Sequence, residues 1–111
     1  MELKVVFYRS GSGREPVRDW LLGLDRDDMR TIGEDLKTVQ LGWPLGMPLV
    51  RSLGKGLWEL RSSLKAGTAR VFFLADEGRL IVLHAFVKKT QKTPDKELDL
   101  ARRRMTEVLG G

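Results

Sequence analysis

The spacing of apolar residues changes along this chain, and the changes mark its elements. Met1–Tyr8 alternates, with Leu3, Val5 and Phe7 on one side, which predicts a strand. From Pro16 the period lengthens: Val17, Trp20, Leu21 and Leu24 recur at helical spacing, and proline suits a first helical position. Asp25 is a good N-cap for a second helix, with Asp27 and Asp28 favoured by the dipole of its first turn. The apolar seam of that helix is Met29, Ile32, Leu36 and Val39, and Gly42 ends it. After the loop Trp43–Pro48, strands are predicted over Leu49–Leu53, Leu57–Leu64, Ala69–Ala75 and Arg79–Lys88. The turns at Gly54–Gly56, Lys65–Thr68 and Asp76–Gly78 are short enough to make antiparallel hairpins. Thr93-Pro94 opens a last helix, with Leu98, Ala101, Met105, Val108 and Leu109 on its inner side. The order predicts an α+β fold: an N-terminal strand and two-helix hairpin packed on an antiparallel sheet, then a C-terminal helix. All the helices are expected on one sheet face.

Composition narrows this picture. A chain of 111 residues, 41% hydrophobic and 32% charged, is expected to form a single domain over residues 1–111. No apolar run approaches the ~20 residues of a membrane span, and the charged, alternating start is unlike a secretory leader. A cytoplasmic protein without a membrane partner is expected. Cysteine is absent, so disulfides, thiolate metal sites and a cysteine nucleophile are excluded. The net charge of +5 is unevenly spread. Residues 14–40 hold five basic and seven acidic side chains, whereas residues 51–92 hold nine basic and three acidic. The second half therefore offers a surface suited to a polyanion, nucleic acid above all.

Candidate chemistry follows from strand alternation. Glu59 and Arg61 share one face of their strand, and Trp58 and Leu60 the other. Arg70 goes with Phe72 and Leu74 on the next strand. His84, Phe86 and Lys88 share a face on the last, with Ile81, Leu83, Ala85 and Val87 opposite. The register across Lys65–Thr68 that brings Arg61 beside Arg70 makes a guanidinium pair next to the basic run Lys88, Lys89 and Lys92. Such a cluster suits phosphate oxygens. Its rival is a surface salt bridge between Glu59 and Arg61, worth about 0–1 kcal/mol.

His84 is the only histidine, so a histidine acid–base pair and a multi-histidine metal site are excluded, and no metal or other cofactor is expected. RNA brings its own nucleophile, the 2′-hydroxyl. Arginines can stabilise the developing phosphorane, a lysine of lowered pKa or Glu59 can take the proton, and Phe72, Phe86 or Tyr8 can stack on a base. Ser10-Gly-Ser-Gly13 lacks the following Gly-Lys-Ser/Thr of a phosphate loop, and Arg102–Arg104 read as a solvated helix face or a contact to ribosomal RNA.

Leu57-Trp-Glu-Leu-Arg61, Ala69-Arg-Val-Phe-Phe73 and the run Leu83-His-Ala-Phe-Val-Lys-Lys-Thr-Gln-Lys-Thr-Pro94 resemble the RelE/ParE toxin superfamily, most closely its phage-derived, HigB-like branch. The resemblance spans nearly the whole chain. It implies a RelE-like fold and the toxin of a type II toxin–antitoxin pair, a metal-independent endoribonuclease that cuts mRNA on the ribosome. Carried over residue by residue, it makes Arg61 and Arg70 the phosphate-binding candidates. Lys88, Lys89 and Lys92 become substrate contacts or proton-transfer groups, and His84 matches the motif. It also implies a cognate antitoxin, commonly of helix-turn-helix type. The chain ends in Val-Leu-Gly-Gly, where many RelE-type enzymes carry an aromatic or acidic group, and this leaves the base unassigned. ParE-like toxins share the fold but resemble DNA gyrase inhibitors, and a non-catalytic RNA-binding protein would use the same basic face.

Overall fold

A computed structural model of the chain describes residues 2–44, 49–88 and 94–110. Its elements run β1 (Lys4–Phe7), α1 (Pro16–Leu22), α2 (Arg26–Gly42), β2 (Val50–Gly54), β3 (Leu57–Leu64), β4 (Gly67–Asp76), β5 (Arg79–Lys88) and α3 (Asp95–Gly110). The five strands form one sheet in the order β1-β5-β4-β3-β2. β2 to β5 pair antiparallel as the turns predict, and β1 joins the far edge parallel to β5. The sheet is therefore mixed.

Local chemistry sets these elements. Asp25 caps α2 by accepting from the N–H groups of Asp27 at 2.7 Å and Asp28 at 3.4 Å. The turns Lys55-Gly56 and Glu77-Gly78 have positive φ at both residues (56° and 87°, 49° and 76°), the twist that two-residue hairpins favour. The remaining acids of the α2 start hold the β3–β4 turn. Asp28 accepts from the Lys65 N–H at 2.9 Å, Asp27 pairs with Lys65 Nζ at 2.6 Å, and one helical face further on Asp35 accepts from the Ser62 hydroxyl at 2.6 Å. The acidic stretch of the sequence is thus the clamp that fixes the strands carrying Arg61 and Arg70.

Two cores sandwich the sheet. Val17 of α1 and Ile32, Leu36 and Val39 of α2 pack on Leu60, Val71, Phe73, Leu80 and Val82. On the opposite side, Ala101 and Met105 of α3 pack on Leu57, Phe72, Leu74, Ile81 and Leu83. Each large apolar side chain so buried contributes about 1.5–3 kcal/mol. The helices thus cover both faces rather than one. A helical stripe states which side of the helix is apolar, not which side of the sheet receives it. The sign of a doubly covered sheet lies in β4, where Val71 and Phe73 and also Phe72 and Leu74 are apolar. Leu109, expected inside, is 56% exposed beyond the last packed turn of α3. Among the described residues no helix is long and apolar enough to cross a membrane.

Two β-bulges decide which side chains share a face. Between β4 and β5 the register runs Phe73↔Val82 and then Phe72↔His84, so Leu83 is the extra residue. Ile81 before the bulge and Leu83 in it consequently lie on the same face as His84, Phe86 and Lys88 after it; of the four residues expected opposite, Ala85 and Val87 alone are there, together with Leu80 and Val82. Strict alternation put Ile81 and Leu83 opposite, which the bulge overturns. Between β2 and β3 the extra residue is Leu53. Both bulged carbonyls are satisfied from α3: Arg102 donates to Leu53 O at 2.8 Å and Arg104 to Leu83 O at 2.9 Å. These two arginines are tethers and not a solvated face; of the three, Arg103 alone is exposed.

Candidate functional site

The α3 side of the sheet carries its side chains in cross-strand rows, successive rows being about 7 Å apart along the strands. Leu57, Leu74 and Ile81 form the row beneath α3. The next row is Arg51, Glu59, Phe72 and His84, the next Arg61, Arg70 and Phe86, and the last Ser63, Thr68 and Lys88. Arg61 and Arg70 are direct cross-strand neighbours, as the turn-based register required. Without the extra residue at Leu83, Arg70 would face Ala85 and Phe86 and Lys88 would turn to the other core. One inserted residue therefore assembles the cationic face.

Glu59 is its hub. The carboxylate is wholly buried, and its Oε1 accepts from Arg70 Nη1 at 3.0 Å and Arg51 Nη2 at 3.1 Å. The expected alternative, a surface pair between Glu59 and Arg61, does not form; Arg70 and Arg51 on the neighbouring strands are the partners, the Arg70 pair buried and the Arg51 pair open to solvent on the arginine side. Glu59 thereby compensates two neighbouring cations, one of them, Arg70, almost fully withdrawn from solvent. Arg70 is itself only 5% exposed, and burial pulls its pKa down, opposed by Glu59 and reinforced by Arg61. The Nε atoms of Arg51 and Arg70 are buried without a hydrogen-bond partner among the described residues. Arg61 differs: it is partly exposed, and among the described residues its guanidinium makes neither hydrogen bond nor ion pair. It is the accessible guanidinium of the row.

Lys88 closes the face at the end of β5. It is buried, and burial lowers its pKa, with Arg70, Arg51 and Arg61 adding to the effect and Glu59 opposing it. Four cations and one carboxylate thus converge on one sheet surface. Lys89 and Lys92, expected beside Lys88, lie outside the described residues.

The aromatic members divide by depth. Phe72 is wholly buried in the α3-side core and offers no surface on which a base could stack. It is the floor on which His84 and Phe86 rest, with ring centroids 6.2 and 5.8 Å away. Phe86 is partly exposed beside Arg70 and is the one of the pair able to meet a ligand. Tyr8, a third stacking candidate, is 7% exposed, bonded to Glu107 at 3.0 Å and covered by the Arg104 guanidinium. His84 stacks on Phe86 at 5.9 Å, and its Nε2 lies 3.3 Å from Glu97 Oε1 on α3. Burial lowers its pKa, Glu97 opposes the shift and Arg104 adds to it, so the ring favours its neutral form. His84 is joined to α3 rather than to the arginine row.

Sequence reasoning missed Arg51. From the tight Lys55-Gly56 turn, unbroken pairing sets Ser52 opposite Glu59; the bulge at Leu53 replaces it with Arg51. Glu59, the one acid of β3 amid the strand cations, was the available signal that a further basic partner stands opposite.

A small mixed sheet with a helical hairpin on one face, a C-terminal helix on the other, and arginines massed on the strands is a RelE-like architecture. A family model for phage-derived protein Gp49-like (DUF891) matches residues 19–106, which include every described residue of the cationic face. The chain belongs to this phage-derived, toxin-related family. No curated protein matches the sequence.

Proposed function

We propose that this chain is the toxin of a type II toxin–antitoxin pair and that it cleaves translated mRNA on the ribosome without a metal. The observation that carries the reading is the partly exposed guanidinium of Arg61, which has no hydrogen-bond or ion-pair partner among the described residues and sits cross-strand from Arg70, with buried Lys88 beyond Arg70 at the end of β5. Membership of the Gp49-like family supports the toxin role, and the HigB-like motif run supports ribosome-dependent RNA cleavage.

In this reading Arg61 binds the non-bridging oxygens of the scissile phosphate, and Arg70 adds positive potential from behind. The 2′-oxygen of the preceding ribose attacks phosphorus in line, and the bond to the 5′-oxygen breaks. Lys88, its ammonium made more acidic by burial and by three arginines, takes the 2′-hydroxyl proton in its neutral form. The leaving 5′-oxygen is protonated by water. The products are a 2′,3′-cyclic phosphate and a 5′-hydroxyl end. Glu59 is a positioning residue, since its Oε1 is occupied by two guanidiniums in a buried setting.

Purified protein added to translating ribosomes with a defined mRNA tests this directly. Cuts with 5′-hydroxyl ends are expected from the wild type, and Arg61→Ala lowers their rate by roughly 10²–10³-fold while the protein still binds ribosomes. Uncut mRNA with inhibited supercoiling by DNA gyrase would replace this function with the ParE-like one. Ribosome binding that falls in step with charge, with no cuts, would leave a simple RNA binder.

A further inference from the structure

Arg61 has different neighbours on its two sides. Toward β5 the row continues to Arg70 and Phe86. Toward the end of the strands lies a depression of about 350 Å³ lined by Leu49, Arg61, Ser63 and Thr68. Ser63 and Thr68 are direct cross-strand partners on the Arg61 face. Ser63 is exposed and Thr68 partly exposed, and their hydroxyls have no hydrogen-bond partner among the described residues. The Leu49 carbonyl accepts from the Arg61 N–H at 3.0 Å, which holds the Leu49 backbone beside the strand that carries the guanidinium.

We propose that this depression is a nucleobase subsite, holding the base of a nucleotide whose phosphate is bound by Arg61. The inference rests on the phosphodiester reading of the cationic face. A volume near 350 Å³ is at the small end for ligand pockets and suits one base with part of its sugar. Leu49, partly buried and packed against the α1/α2-side core, adds an apolar edge to the lining. Each hydroxyl both donates and accepts, so Ser63 and Thr68 can meet the mixed polar edge of a base. A lysine or carboxylate there would select by charge; two neutral hydroxyls select by shape and hydrogen bonding. The half-buried Phe86 lies on the other side of the Arg61–Arg70 pair and takes the neighbouring base. The two bases of one dinucleotide step are thereby held apart across the phosphate.

Amide NMR titrations with inorganic phosphate and with adenosine and guanosine 3′-monophosphates test the subsite. Phosphate is expected to move Arg61 and its strand neighbours alone. The nucleotides move Ser63 and Thr68 as well and bind about five- to tenfold more tightly than phosphate, the increment of one or two neutral hydrogen bonds. Ser63→Ala with Thr68→Val removes that increment and leaves phosphate affinity unchanged, while Thr68→Ser alone retains it. Nucleotides that match phosphate in affinity and in the residues moved would overturn the subsite while leaving the phosphate reading intact. No response at Arg61 to any of these ligands would overturn the phosphate reading and the subsite with it.

Discussion

The contrast between Glu59 and Arg61, neighbours on one face of β3, shows how a single strand separates folding from chemistry. Glu59→Gln keeps the side-chain shape but leaves Arg70, almost wholly buried, without its counter-charge. Breaking a buried pair from one side costs about 3–5 kcal/mol, and urea unfolding of this variant should show a loss in that range. Arg61→Ala removes a partly exposed cation that has no partner among the described residues, so its stability should stay within about 0.5 kcal/mol of the wild type. Two pH profiles belong at this scale. Because the folded protein lowers the Lys88 pKa, cleavage through neutral Lys88 should rise with pH and level off below the 10.5 of an ordinary lysine. Lys88→Arg, charged throughout that range, should lose the rise. His84 acts on stability instead. Its neutral form is favoured in the fold, whereas the unfolded chain takes a proton near 6.5, so stability is full above that pH and declines as the pH falls toward the lowered folded value. Melting temperatures of His84→Phe between pH 7 and pH 5 should lack this component of the decline. The Arg61–Arg70 pairing was legible in the sequence because a short turn counts residues outward from itself. The inward turn of Glu59 was not, since alternation gives a face and says nothing of depth.

At the scale of elements, the bulges carry the lesson. Every strand and helix can be read from apolar spacing and turn residues to within a few positions. The extra residues at Leu53 and Leu83 cannot, for leucine is equally at home in regular or bulged strand, and the signal that singles them out comes from α3. Arg102 and Arg104, two residues apart on that helix, reach the two bulged carbonyls. Arg104→Ala strands the Leu83 carbonyl in the α3-side core and should cost about 1–3 kcal/mol in denaturant unfolding. Amide exchange at Leu83 and His84 should quicken more than exchange in β3. If the two strands lose protection equally, Arg104 supports the sheet in general and not the bulge.

Over the whole molecule, the charge imbalance seen in the sequence becomes a division of labour. The acidic α2 start grips the β3–β4 turn from one face, and the cations carried by β2 to β5 gather on the other. The element order was legible, but the parallel docking of β1 was not, because a strand followed by two helices has no hairpin to fix its direction or its edge. The side chosen by α3 was likewise hidden, although doubly apolar β4 held the clue. Under the proposed toxin role, a cognate antitoxin would cover this face, with its excess of cations, using acidic or apolar groups. The intact complex should then bind ribosomes far more weakly than the chain alone, and equal binding in a sedimentation assay would place the antitoxin elsewhere.

The most direct test of the central claim is a transcriptome-wide map of new mRNA 5′ ends after brief induction of the wild type and of Arg61→Ala. Cuts confined to translated reading frames, with 5′-hydroxyl termini, present in the wild type and lost in the variant, are the expected result. Growth arrest by the wild type with no new ends would contradict cleavage and turn the cationic face toward gyrase inhibition.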